Sequence, residues 1–139
     1  FFTFKDLRGL SQDDFAKGLQ DCLLGVWIDP TSGFGTFPLE CMKSGVPVVG
    51  KIPNLKPSWM SEKNGIWIEN QNQMVDVIAD VVQTWLEDNV LADLYTEGFN
   101  TAEKFTNQEN FKTSVIDIFE SFINKRKDAF EAQITQETE

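Results

Sequence analysis

A chain of 139 residues, 41% hydrophobic and 24% charged, has the make-up of about one globular domain. No apolar run approaches the roughly 20 residues that a membrane-spanning helix needs, and no signal peptide opens the sequence. The net charge of −10 is uneven: residues 1–70 carry seven basic and eight acidic side chains, residues 71–139 five and fourteen. That balance argues against nucleic-acid binding. With no histidine and two cysteines, a Ser-His-Asp or Cys-His catalytic pair is excluded and a zinc site is disfavoured. Cys22 and Cys41 fall in apolar helical patterns and read as buried free thiols of a reducing compartment, with a disulfide as an alternative that their spacing does not support.

In chain order, Phe2 to Leu7 has the composition of a short strand. A sequence that opens on Phe1-Phe2-Thr3-Phe4 reads as the middle of such a strand, which leads to the expectation of a fragment. Ser11, with Asp14 three residues on, predicts a helix start, and Phe15, Leu19, Cys22 and Leu23 carry the helix to about Leu24. Gly25 to Asp29 is a compact apolar run that suits a buried strand. A glycine-containing loop, Thr31 to Gly35, leads to a short helix from Thr36 or Phe37, with Pro38 in its first turn. That helix stops at Gly45; Pro47 to Gly50 and Ile66 to Glu69 are further strands, separated by a loop with two prolines and Asn64-Gly65. The remainder reads as helix. Met74, Ile78, Val81, Val82 and Trp85 mark one apolar face. A second helix spans Val90 to Phe105 with a break or bend at Gly98, and a third follows Thr106. Lys125-Arg126-Lys127 suit a helix C-terminus, and the polar tail from Thr135 is expected to lack structure.

Strands alternating with helices predict an α/β domain with a short parallel sheet, flanking helices and a helical C-terminal tail, in effect a partial Rossmann-like fold. About four strands fit where a doubly wound domain has five or six. The expected organisation is one domain over residues 1–130 and a polar tail over 131–139.

The stretch that carries chemistry runs from Asp29 to Gly50 and reads as strand, glycine loop, helix, strand. Gly33 and Gly35 allow a ligand close to the main chain. The helix that follows offers unpaired N–H groups and the positive end of its dipole, an arrangement that favours a phosphate. On residues alone a tight turn with a capped helix is the stronger reading, and Glu40 reads as a structural carboxylate favoured by the helix dipole with or without a ligand.

The run resembles the signature of the group 1, or family four, retaining glycosyltransferases of the GT-B type: Glu-Gly-Phe-Gly, four positions, Glu-Ala-Met, two positions, Gly-x-Pro-Val-Val. The chain matches at Gly33, Phe34, Gly35, Glu40, Met42, Gly45, Pro47, Val48 and Val49, with Pro30 ahead of the glycines. Asn64-Gly65-Ile66 and Ala102-Glu103-Lys104-Phe105-Thr106 resemble later family segments, so the likeness spans nearly the whole chain. It implies the C-terminal, nucleotide-sugar-binding domain of such an enzyme. Backbone amides of Phe34, Gly35, Thr36 and Phe37 would hold the diphosphate of a nucleoside diphosphate sugar, with Gly33 allowing its approach. Glu40 would accept hydrogen bonds from the ribose hydroxyls. The parent would transfer a sugar to an acceptor hydroxyl with retention of configuration, with no metal and no tightly bound cofactor.

Ser32 stands where the family has the glutamate that touches the donor sugar. The family's phosphate-binding Arg and Lys, and its N-terminal acceptor domain, correspond to sequence before Phe1. No catalytic residue is therefore assigned within this fragment, which is expected to be inactive alone. Lys43, Lys51 and Lys56 are taken as surface charges. The partners implied are the nucleotide-sugar donor and the missing N-terminal domain, not nucleic acid. The setting implied is cytoplasmic, with the inner face of a membrane as an option and polysaccharide assembly as the pathway class. Self-association through an exposed face of the last helix is a further expectation. The main alternative is a degenerate, non-catalytic nucleotide- or protein-binding module, favoured by Ser32. A receiver-like domain fits poorly, because Asp29 has no acidic companions nearby. Of the four tryptophans, Trp27, Trp67 and Trp85 read as core, and Trp59 stays open as a sugar-stacking surface.

Overall fold

The computed structural model describes residues 3–87 and 90–137. The chain divides into two compact units, Phe1–Phe105 and Thr106–Glu139. The first holds α1 (Gln12–Gln20), β1 (Gly25–Trp27), α2 (Thr36–Lys43), β2 (Val48–Lys51), β3 (Ile66–Ile68), a 3-10 turn (Gln71–Gln73), α3 (Met74–Glu87) and α4 (Val90–Thr106). It is an α/β fold around a parallel sheet in the order β1-β2-β3, with Val26 opposite Val49 and Gly50 opposite Trp67.

Alternation along β2 organises the core. Val48 faces a cluster with Leu19, Trp27, Leu39, Met42, Trp59 and Ala102, which seats α1, α2 and α4. Val49 faces the other way, toward Ile68 and Met74, where α3 packs. Both valines are fully buried, as period-two side-chain placement requires of a central strand covered on both faces.

The helix ends follow from particular residues. The Ser11 hydroxyl accepts the Asp14 N–H at 3.2 Å and donates to the Asp14 carboxylate at 2.8 Å, opening α1. At the end of α2, the Val46 N–H donates to the Cys41 carbonyl (2.8 Å) and the Gly45 N–H to that of Met42 (3.1 Å). This is the Schellman arrangement, which needs a left-handed residue; Gly45 supplies it at φ 76°. A methyl group there would lie 2.5 Å from the Tyr95 ring of α4.

Several expectations are corrected. Residues 3–10 form no strand, and Phe4 is 85% exposed; Phe2 lies outside the described residues. Local turn chemistry wins here: the Asp6 carboxylate accepts the Arg8 N–H at 3.0 Å and is clasped by the Arg8 guanidinium at 2.6 Å, which offers the backbone an alternative to a sheet ladder. The described sheet therefore has three strands, not four. α1 stops at Gln20, short of Leu24, where the Cys22 N–H turns back to the Leu19 carbonyl. α4 runs unbroken through Gly98. That glycine lets α2 approach, since a methyl group there would sit 3.1 Å from Met42. Trp85 lies outside the residues whose side chains are described.

The second unit is α5 (Gln108–Glu137), which continues through Thr135 where a tail without structure was expected. The Asn107 side chain caps it by accepting the Glu109 and Asn110 N–H groups at 2.9 and 3.2 Å. No described helix is long and apolar enough to cross a membrane.

Candidate functional site

The loop from β1 to α2 emerges at the carboxyl end of the sheet, where open α/β folds bind ligands. Its geometry is set first by Asp29. One carboxylate oxygen accepts the Thr31 N–H (2.9 Å), the Thr31 hydroxyl (2.9 Å) and the Ser32 N–H (3.1 Å). Those donors, led by the Thr31 amide, hold the Asp29 carboxyl below its ordinary range. The Ser32 hydroxyl then accepts the Gly35 N–H at 3.1 Å.

Gly35 is the pivot. It adopts φ 73°, ψ 67° immediately before α2, a left-handed conformation that a side chain resists. There is also no space for one: a methyl group would lie 2.9 Å from the Trp59 ring and 3.1 Å from both Pro38 and Trp27. Gly33 needs no unusual φ, but Leu55 lies 3.1 Å from where its methyl group would be.

Behind the loop stand three tryptophans. The rings of Trp27, Trp59 and Trp67 pack with centroids 5.7–6.5 Å apart. The Trp59 indole N–H donates to the Phe34 carbonyl at 2.6 Å. The Trp59 carbonyl in turn accepts from the Asn64 side-chain amide at 2.6 Å, which also reaches the Thr101 hydroxyl of α4 at 3.1 Å. The Asn64 side-chain oxygen accepts the Ser61 N–H at 3.0 Å. Asn64 is 2% exposed and fully engaged, as a buried amide must be. Trp59 is buried and clamps the loop, so the open reading of it as a sugar platform is withdrawn.

These contacts leave a defined set of donors at the mouth of α2. Pro38 has no N–H, and the Gly35 N–H is occupied by Ser32. Thr36 and Phe37 hold the first-turn amides that no α-helix satisfies internally. α2 buries Pro38, Leu39, Cys41 and Met42 against the core and turns Thr36 and Glu40 outward. These two are four residues apart and so share one face. Phe34 is half exposed, and with Ile28 and Leu55 it places apolar side chains around the loop.

The lysines behave differently from one another. Lys43 pairs with Glu103 and lies over the Phe99 ring, which commits it to α4. Lys51, at the end of β2, folds onto the Ile52 carbonyl at 3.5 Å. Cys41 is buried, and burial pushes its thiol up to about 12, leaving it protonated and inert at neutral pH. Both cysteines are free, and the Cys22 thiol donates to the Gly18 carbonyl at 3.2 Å. No cluster of acidic and sulfur side chains suited to a metal occurs among the described residues.

The sequence pointed to the loop, the pivot glycine and the outward acid. It missed the clamp of Trp59 and Asn64. The signal was present in a tryptophan inside a proline-containing loop followed by Asn-Gly, and a buried indole N–H needs an acceptor. No protein-family model matches the chain, and no curated protein matches it.

Proposed function

We propose that the α2 mouth binds the diphosphate of a nucleoside diphosphate sugar, and that the chain is the donor-binding part of a retaining GT-B glycosyltransferase. One observation carries this: a left-handed glycine, with no space for any other residue, turns the chain into a helix whose first turn holds the Thr36 and Phe37 amides and whose exposed face carries Thr36 and Glu40. The resemblance of residues Gly33 to Val49 to that family's signature supports it. Thr36 and Phe37 supply the open amides of the diphosphate cradle, Phe34 and Gly35 form its loop side, Gly33 allows close approach, and Glu40 accepts from the ribose hydroxyls. The parent works on the cytoplasmic side, with its acceptor held by an N-terminal domain of the GT-B kind.

A second reading is favoured by Ser32. Its hydroxyl occupies the Gly35 N–H, a donor the cradle would otherwise offer. A chain whose own side chain fills part of the cradle suits a non-catalytic binding module.

Titration calorimetry of the 139-residue chain tests both. With two first-turn amides, and with Lys43 committed to Glu103, a nucleoside diphosphate should bind weakly, with Kd on the order of 1 mM. Glu40→Ala should weaken the nucleotide and leave inorganic pyrophosphate unchanged. Ser32→Ala, which releases the Gly35 N–H, should tighten both. Absence of heat with either ligand, in wild type and Ser32→Ala alike, overturns the binding reading. Turnover of a nucleotide sugar by this chain alone would overturn the assignment of no catalytic residue.

A further inference from the structure

α5 presents an apolar face that the proposed site does not use. Between Phe111 and Phe130, four phenylalanines and three isoleucines are 46–71% exposed. At about 100° per residue they fall within an arc of roughly 160°. Just beyond one edge of that arc lie Glu120 and Lys127, about 20° apart around the helix. Arg126 lies inside the arc, but its guanidinium is laid over the Phe122 ring at 5.3 Å, which keeps the charge on an aromatic face.

We propose that this face is a self-association surface, on which α5 packs antiparallel against α5 of a second copy of this chain. Area favours it. At about 200 Å² per phenylalanine, the four rings expose on the order of 500 Å². The isoleucines bring the total near the roughly 800 Å² per partner of a standard interface.

Charge selects both the occupant and the direction. α5 carries six acidic and four basic side chains, the wrong balance for an anionic lipid surface or a nucleic acid. Along the axis, acidic Asp117 and Glu120 precede basic Lys125-Arg126-Lys127. A parallel pair would set the two basic runs side by side. An antiparallel pair centred on the middle of α5 sets Phe122 against Ile123 of the second copy and Val115 against Phe130. Its two-fold axis carries each flank onto the same flank of the partner. Glu120 then comes within about 3 Å, along the axis, of Lys127 of the second copy, and symmetry makes the pair twice.

Sedimentation of the full chain over a concentration series tests the proposal, with circular dichroism to confirm that each variant is folded. The wild type should form a dimer that weakens as salt rises. Phe122→Asp should be monomeric. Glu120→Lys and Lys127→Glu should each weaken the dimer about fivefold or more, through two surface pairs. The double swap in one chain should restore it, because the opposite charges then face each other again. A folded wild type that stays monomeric to about 100 μM overturns the proposal, whether its apolar face is bare or covered by its own chain. A dimer that the double swap fails to restore overturns the antiparallel arrangement.

Discussion

Two aspartates close similar turns in this molecule, and only one of those turns becomes a rigid platform. Asp6 takes the Arg8 N–H and Asp29 takes the Thr31 N–H, each two residues ahead. Around Asp6 the contacts end with the exposed Arg8 side chain, and Phe4 stands in solvent. Around Asp29 the turn passes its order on: Ser32 holds Gly35, Trp59 holds the Phe34 carbonyl, and Asn64 holds Trp59 to α4. Turn chemistry chooses a local shape. Burial of the next polar partners makes that shape unique, since an unmet buried group costs more than an exposed one.

The comparison breaks most severely at Gly35. Gly35→Ala meets the cost of a left-handed non-glycine residue and a collision with Trp59, Pro38 and Trp27. The expected loss of stability is about 3 kcal/mol, read as a fall in the denaturant midpoint. The same change at Gly9, with a similar φ of 71° and open space around it, should cost only the backbone part, about 1 kcal/mol. Equal losses at the two glycines would show that the tryptophan wall gives way.

Asn64→Leu comes next. The leucine fills similar volume but strands the Trp59 carbonyl and the Ser61 N–H. About 2 kcal/mol should be lost. Because Trp59 supports the Phe34 carbonyl from behind, exchange of the Gly35 amide, which Ser32 holds, should quicken in the same variant. Lost stability with unchanged exchange at the loop would place Asn64 in the core alone and separate it from the site.

Sequence periodicity disclosed the framework of the first unit because its segments obey the simplest rules. Val48 and Val49 are apolar on both sides of a buried strand, Ser11 and Asp14 mark a helix start, and Gly45 marks a stop. The pivot at Gly35 was visible for the same reason, as a glycine just ahead of a helix with proline in its first turn. What stayed hidden depends on partners distant in sequence. Phe1-Phe2-Thr3-Phe4 has strand composition, yet residues 3–10 pair with no strand and the Asp6 turn prevails. Trp59 lies 25 residues from the carbonyl it grips, and Asn64 lies 37 from Thr101. Gly98 looked like a helix breaker because its neighbour in space, Met42, belongs to another helix.

Acid gives the mildest and most selective test of the two turns. The Asp29 carboxyl is held below its ordinary value by the Thr31 and Ser32 donors, so the order it confers is complete above the ordinary carboxylate range. That order is lost only as pH falls through the lowered value. The Asp6 carboxyl, clasped by Arg8, is lowered to about 2. Its partner sits two residues away and can meet it in an unfolded chain too, so titrating it should leave stability unchanged. Amide spectra recorded on descending pH should show Gly35 and Ser32 moving together, below the ordinary aspartate midpoint, with the indole N–H of Trp59 following. Arg8 should move at lower pH, with no change at any tryptophan. If Gly35 instead titrates at an ordinary aspartate value, Asp29 does not order the loop, and Ser32 holds the glycine without help.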